Sequence, residues 1–345
     1  MNPFPFISVI VPVYNEEKFI DALIENFIHQ DYPENCMEWI FVDGMSSDKT
    51  LEILKRYQAK YSFIQVLDNP DRYVSYALNK AIAVAKGTYI IRMDAHSIYP
   101  SNYWSVLVRK SMEYQADNVG GMWVTQPGDR TDEALAIVYA TSHPVGIGNA
   151  SYRLGSSYDK QTDTVPYGCF PATLFKRIGV FDTDLIRNQD DEFNGRIIKN
   201  GGKIFLIPSL KIEYFARPTW KKLATMFYQY GLFKPLVNIK LGAPATLRQL
   251  APPIFVTSIV LLTLGALLLS LLRIPCLAFI GFYGISVLMA SLHAVKRRNP
   301  KLWLLTAVTF PVIHFSYGIG YIFGLFRFTL MGEHKRGKIN INSSR

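Results

Sequence analysis

Three uncharged apolar runs constrain this chain more than any other feature. IFVTSIVLLTLGALLLSLL (254–272) has 19 residues without a charge, 274–295 adds 22 interrupted only by His293, and a third run stays uncharged from Leu302 to Phe326, with Pro311 and His314 inside it. About 20 apolar helical residues cross the roughly 30 Å of a bilayer core. A transmembrane region is therefore expected over 251–330, with segments at 252–272, 275–295 and 302–328. Charge divides near the same place. Residues 1–210 carry 20 Lys+Arg against 25 Asp+Glu, a net of −5; residues 211–345 carry 17 against 2, a net of +15; together they make the +10 of the 345-residue chain. Basic residues set among long apolar runs point to a membrane surface, and no nucleic-acid partner is expected.

MNPFPFISVIVPVYNEE lacks a basic n-region and runs straight into acids, so no cleavable signal is expected and the first 210 residues are expected to be cytoplasmic. Positive-inside counting agrees, because KRRNPK (296–301) joins the second and third runs and Lys221, Lys222, Lys234, Lys240 and Arg248 precede the first. Three full crossings would put HKRGK (334–338), in the basic tail 331–345, on the far side. Either the last segment is re-entrant, broken near Pro311, or the tail departs from the rule. Cys36, Cys169 and Cys276 are odd in number and widely spaced, which reads as reduced packing residues.

The first 215 residues read as an alternating α/β domain. FISVIVPVYN (6–15) is a β-branched run suited to a strand buried on both faces. Apolar residues then recur at three- and four-residue intervals from Phe19 to Ile28, which predicts a helix. WIFVDGMSSDKT and LEILKRYQAKY repeat the theme, followed by FIQVLDN, SYALNKAIAVAKG and YIIRMD. Such alternation predicts a mainly parallel sheet with ligands beyond the carboxyl ends of its strands. Those ends carry Tyr14-Asn15-Glu16, Asp43-Gly44 and Asp94-Ala95-His96. No G-x-G-x-x-G or P-loop pattern accompanies them, which argues against a dinucleotide oxidoreductase or a P-loop ATPase. In a strand, Asp94 and His96 project to one side and can share a divalent cation, which would in turn gather phosphate oxygens. From these residues alone, a turn-forming Asp beside a surface His fits equally well.

ISVIVPVYNEE, FVDGMSSDKT, LNKAIAVAKGTYIIRMDAH and RIGVFDTDLIRNQDDEFNGRI together resemble the family 2 inverting glycosyltransferases of the GT-A fold, in particular their membrane-anchored succinoglycan-type branch. The resemblance covers roughly residues 6–240. It implies a GT-A catalytic domain over 1–215, amphipathic interfacial helices over 216–250 and a membrane anchor beyond. It also implies a nucleotide-sugar donor, usually UDP-linked, a Mn²⁺ or Mg²⁺ cofactor, and a polyprenyl-linked or other lipid acceptor. Pro12, Tyr14 and Glu16 would line the nucleotide site, Asp43 would bond the base, and Asp94 and Ala95 would meet ribose and diphosphate. Asp94 and His96 would hold the metal; because His96 stands where many members have a second Asp, Mn²⁺ gains over Mg²⁺.

By the same resemblance Asp190 would be the general base and Arg196, six residues on, would match the family's arginine. The acids Asp191 and Glu192 beside it could merely complement a helix dipole. Gly168 and Cys169 resemble the turn that shapes the acceptor side, where Asp191 and Lys234 would also act; Lys234 could equally snorkel at a membrane surface. Gly146, Gly148 and Gly155 make 125–165 resemble a flexible lid. A polyprenyl-phosphate glycosyltransferase and a non-catalytic nucleotide-sugar-binding membrane subunit are the alternatives.

Overall fold

The computed structural model describes residues 4–244, 246–295 and 299–332. The chain folds as two compact units, one from the chain up to Val124 with Gly155–Tyr214, the other from Thr125–Leu154 with the chain from Phe215 onward. In the first unit β1 (Ile7–Val13), α1 (Ile20–Ile28), β2 (Met37–Asp43), α2 (Thr50–Lys60), β3 (Ile64–Asp68), α3 (Val74–Val84) and β4 (Tyr89–Arg92) alternate, and the strands lie parallel in the order β3-β2-β1-β4. Every residue of β2 is buried, as a strand covered on both faces requires. Strand order reverses between β1 and β4, which opens a ligand crevice at their carboxyl ends.

After β4 come β5 (Ser97–Ile98), α4 (Tyr103–Tyr114) and β6 (Asn118–Gln126), then α5 (Asp132–Thr141), α6 (Pro144–Ile147) and α7 (Ser151–Leu154). The chain returns through β7 (Lys160–Gln161), β8 (Cys169–Pro171), α8 (Ala172–Ile178), α9 (Gln189–Lys199) and β9 (Ile204–Phe215). β8 joins β4 antiparallel, followed by β6, β9 and β5, with β7 on β9, so the sheet is mixed. The parallel pattern holds for the four strands linked by crossover helices. Strands reached by other excursions are free to reverse.

α10 (Trp220–Leu241), α11 (Ala251–Leu268), α12 (Arg273–Ala294) and α13 (Pro300–Leu325) complete the second unit together with α5 to α7. Three stretches, Leu247–Leu268, Ser270–Ala294 and Pro300–Leu330, are long and apolar enough to cross a membrane. α13 runs unbroken through Pro311, so the break considered there does not occur. Residues 296–298 of KRRNPK, and 333–345 of the basic tail, lie outside the described residues.

Two expectations change. The 1–215 domain is interrupted, because 125–154 packs with the C-terminal helices instead of forming an open lid. Asp132 pairs with Lys301 at 2.7 Å and Gly146 leaves room for the Ala140 carbonyl and the Phe310 ring. The sequence from Asp132 to Ile147 alternates apolar and small residues enough to give two short helices an apolar side, which glycine spacing alone does not reveal. The interfacial segment 216–250 is mainly one helix, α10, packed parallel along α13. Trp220 donates to Thr309 Oγ1 at 2.9 Å at one end of this contact, and Phe233 meets Phe328 at the other.

Glycines let α10 and α13 touch. A Cβ on Gly320 would run into the Tyr228 carbonyl, and one on Gly231 into that of Tyr317. Gly320→Leu should therefore cost about 1–3 kcal/mol through overpacking, measured as thermal unfolding in detergent. Gly281→Leu, on a stretch of α12 with nothing within 4 Å of the added Cβ, should leave stability unchanged.

His143 caps α6. Its Nδ1 accepts from the Val145 N–H at 3.2 Å, which leaves Nε2–H to donate to His293 Nδ1 at 3.1 Å. Burial, and then the neighbouring His293, hold the His143 imidazole below its ordinary 6.5. The unfolded chain therefore binds the proton more readily, so this contribution to stability is present above pH 6.5 and is lost as pH falls from there toward the folded value. Unfolding temperature should drop between pH 7.5 and 5.5, and His143→Asn, which keeps an acceptor for Val145, should flatten that slope. His314, inside α13, is a packed polar residue: Nδ1 meets the Tyr283 hydroxyl at 2.8 Å and Nε2 the Val145 carbonyl at 2.7 Å.

Candidate active site

The crevice in the first unit is built from the turns that follow β1, β2 and β4. Val13 pairs with Asp43 across β1 and β2, so those two strands end level. Asn15 and Met45 both take positive φ, and their turns interlock: the Asn15 N–H donates to Ser46 Oγ at 2.9 Å and the Ser47 N–H to Asn15 Oδ1 at 2.8 Å. Asp43 is 1% exposed, and its two oxygens accept from the Ser46 N–H at 2.9 Å and the Ser46 hydroxyl at 2.5 Å. It therefore organises the turn, and contact with a base is left to lone pairs that Ser46 does not use. Pro12 and Tyr14 sit half-buried at the end of β1, with the Tyr14 ring against Gly44.

Beyond β4, three of the expected residues come together. His96 Nδ1 lies 3.4 Å from Glu16 Oε1 and 3.5 Å from Asp94 Oδ1, all three side chains being partly exposed. The Asp94 N–H donates to the Tyr99 hydroxyl at 2.7 Å and the Ala95 N–H to Asp94 Oδ1 at 2.9 Å, so this strand end is held by its own backbone. Burial, and then the Asp94 charge, push the phenols of Tyr99 and Tyr167 well above their usual range, so both remain neutral. Among the described residues, no group of three or more His, Cys, Asp or Glu side chains is arranged to hold a metal ion by itself. Asp94 and His96, 3.5 Å apart, have the donor chemistry for two positions on a hard or borderline divalent ion whose other ligands are phosphate oxygens.

Asp190 is reached from the same strand. Arg92, two residues before Asp94, is buried and its Nη1 makes an ion pair with Asp190 Oδ1. Burial would lower the guanidinium pKa, but the charge and hydrogen bond of Asp190, with Asp94 behind, reverse this and hold it above the usual arginine value. The Tyr167 ring lies 5.9 Å from the guanidinium and its hydroxyl meets Ser97 Oγ at 2.7 Å. Tyr167 and Gly168 both have positive φ, and the Gly168 carbonyl accepts from the Arg92 N–H at 2.9 Å. A Cβ on Gly168 would collide with Asn118 and Phe170. α9 is fixed by Phe193, 1% exposed and stacked on Phe181 at 4.5 Å, which leaves Asp190 39% exposed at the first turn.

The neighbouring acids divide. Asp191 is half-buried, whereas Glu192 turns inward to Arg196, with contacts of 2.8 and 2.6 Å. Arg196 also donates to the Ile178 and Val180 carbonyls at 2.6 and 2.9 Å. Through these bonds it clamps the loop after α8 to α9. Cys169 departs from the acceptor-side expectation. It is fully buried, paired with Ile91 in the sheet, and burial pushes its thiol well up. Lys234 belongs to the second unit, half-buried on α10. Arg92 went unnoticed in the sequence, although a charge inside the apolar YIIRMD strand, in phase with Asp94, is the available signal.

Residues 8–179 match the family described as Glycosyl transferase family 2. Over 333 residues the chain is 30% identical to a dolichyl N-acetyl-alpha-D-glucosaminyl phosphate 3-beta-D-2,3-diacetamido-2,3-dideoxy-beta-D-glucuronosyltransferase of Methanococcus voltae, covering 93% of this chain and 98% of the relative. It is 28% identical over 316 residues to the succinoglycan biosynthesis protein ExoA of Rhizobium meliloti, covering 91% and 93%. Among solved structures, a mannosyltransferase of Pyrobaculum calidifontis in complex with GDP-Man and Mn²⁺ aligns with a TM-score of 0.61 at 20% identity, over 91% of this chain and 87% of that one. That likeness shows a shared GT-A fold.

Proposed function

Because the chain belongs to glycosyl transferase family 2, we propose that this glycosyltransferase works by inversion, moving one sugar from a nucleoside diphosphate donor onto a hydroxyl of a lipid-linked saccharide. The observation that carries this reading is the Arg92–Asp190 ion pair, which ties the acid of α9 to the strand that ends in Asp94 and His96. A base for the acceptor and a set of donor-side ligands are thereby joined through one buried side chain. Asp190 takes the proton of the acceptor hydroxyl as its oxygen attacks the anomeric carbon opposite the leaving diphosphate. Arg92 orients the Asp190 carboxylate. Asp94 and His96 form the part-shell for a divalent cation, Mn²⁺ ahead of Mg²⁺ because one donor is an imidazole. When bound, that cation supplies positive charge to the diphosphate. Pro12, Tyr14, Ala95 and the turn organised by Asp43 form the nucleotide side, and Gly168 and Asp191 the acceptor side.

The Methanococcus relative is named for a dolichyl sugar phosphate and the Rhizobium relative for succinoglycan biosynthesis, which supports a polyprenyl-linked acceptor at a membrane. The catalytic unit then faces the cytoplasm, where nucleotide sugars are found. Named ligands of fold neighbours include UDP as well as GDP-Man, so both donor types belong in the test. Radiolabelled UDP- and GDP-sugars are offered to the purified protein with membrane lipid extract and Mn²⁺, Mg²⁺ or chelator. Label passing to lipid with a divalent ion, and lost with chelator, is expected. Calorimetric nucleotide binding without transfer from any donor would instead indicate a non-catalytic subunit.

A further inference from the structure

The long apolar helices of the second unit differ in what surrounds them. Within Leu247–Leu268 and Ser270–Ala294, 11% of the most apolar stretch is buried in the protein, against 33% within Pro300–Leu330. α11 meets α13 in its first turns, Val256 against Gly318 and Phe255 against Phe315, and α12 meets it in its second half, Tyr283 with His314 and Ser291 with the Trp303 carbonyl. The hairpin between these contacts stands clear: Leu261, Leu268, Leu271, Ile274 and Leu277 are 63% to 84% exposed. Backbone with apolar side chains exposed all round needs hydrocarbon on every side.

α13 behaves differently. From Ile319 on, and into the π turn Phe326–Leu330 that follows α13, the exposed apolar residues Ile319, Ile322, Phe323, Leu325, Phe326 and Leu330 fall on the side away from Gly320 and Gly324. Its other side packs on α10 through Gly231, Gly320 and Gly324. One apolar face with a protein-covered back suits a helix that meets lipid on one side only. The parallel contact runs from Trp220 opposite Thr309 to Phe233 beside Phe328, so α10 goes wherever α13 goes. Leu232 lies level with Gly324, so an upright α13 would carry Lys234 and Lys240 of α10 to its far end, against the positive-inside preference of the basic residues before α11. Gly242, Ala243 and Pro244, non-helical and exposed, would follow there, and the chain would then have to run back through hydrocarbon to start α11, whose Pro252 carbonyl lies against Gly318; irregular backbone facing lipid is not tolerated.

We propose that the α11–α12 hairpin alone enters the bilayer, while α10 and α13 lie as a pair along its surface. The chain then leaves the π turn after α13 at Met331, on the side from which it entered α10. This rests on the membrane reading above. It removes the conflict in the positive-inside count, since the chain enters α11, leaves α12 and leaves α13 on one side.

Membrane-impermeant maleimide labelling of the full chain in whole cells tests this, because the native Cys36, Cys169 and Cys276 are buried. Gln58→Cys, on exposed α2, reports the first unit; Met331→Cys reports the exit from α13, with the 76%-exposed Leu330→Cys as a second probe there. Both positions should label only after permeabilisation. Labelling at 331 and 330 in intact cells, with Gln58→Cys still protected, would mean three crossings and overturn the proposal. Release of the protein from membranes by alkaline carbonate would refute the membrane reading itself, and the hairpin with it.

Discussion

Asp190→Asn is expected to lower turnover by about 10²- to 10⁴-fold, the usual contribution of a positioned general base, with donor affinity unchanged. Asparagine keeps an oxygen that can accept from Arg92, so the contact between α9 and β4 survives while the proton acceptor is lost. Asp190→Ala should show the same chemical loss plus a stability cost, since it leaves the buried Arg92 without its counter-charge. Removing one partner of a fully buried pair costs about 3–5 kcal/mol; with Asp190 39% exposed, water can enter, and a value below that range is expected. The comparison separates catalysis from folding: the two variants should match in single-turnover rate per folded molecule and differ in unfolding temperature. Near-normal turnover by Asp190→Asn would sink the hydroxyl-acceptor reading and favour a polyprenyl phosphate, whose nucleophile is already an anion.

The second large effect is expected at Asp94. Asp94→Ala should weaken divalent-dependent nucleotide binding by at least the about 10–100-fold that follows loss of groups merely supporting metal ligands. Asp94 Oδ1 also accepts from the Ala95 N–H, so Asp94→Asn serves as the control that keeps this bond and drops the charge. If the carboxylate acts through a cation, Asn and Ala should be equally impaired, and titration of UDP or GDP in chelator should already resemble both. Unchanged binding in Asp94→Ala, with or without Mn²⁺, would remove the cation from this strand end. His96→Asp extends the test by shifting preference from Mn²⁺ toward Mg²⁺ if the imidazole is a ligand.

Local pattern carried the first unit well because strand and helix periods are written in neighbouring residues. The runs from Ile7 to Val13 and Met37 to Asp43 announce strands buried on both faces, and the strand-end acids follow at once. The juxtaposition of Glu16, Asp94 and His96 was also legible, since parallel strands joined by crossover helices bring their carboxyl ends together. Arg196 and Cys169 show where this stops. Motif spacing identifies a residue without saying where its side chain turns, and one turn of α9 separates Asp190, aimed at Arg92, from Glu192, aimed at Arg196. Arg92 itself looked like an ordinary strand residue until Asp190 arrived from about a hundred positions away.

By itself, the sequence determined the α/β class of the first unit, the strand-end acids, and three helices apolar enough to meet lipid, because each depends on residues within about 20 positions of one another. Tertiary structure alone decided that 125–154 packs with the C-terminal helices, that α9 delivers one acid of three to the β4 strand, and that α10 lies against α13. These outcomes depend on which surfaces meet after the chain closes. A buried arginine finding its carboxylate, or two helices touching at glycines, is a relation between distant residues that no local pattern encodes.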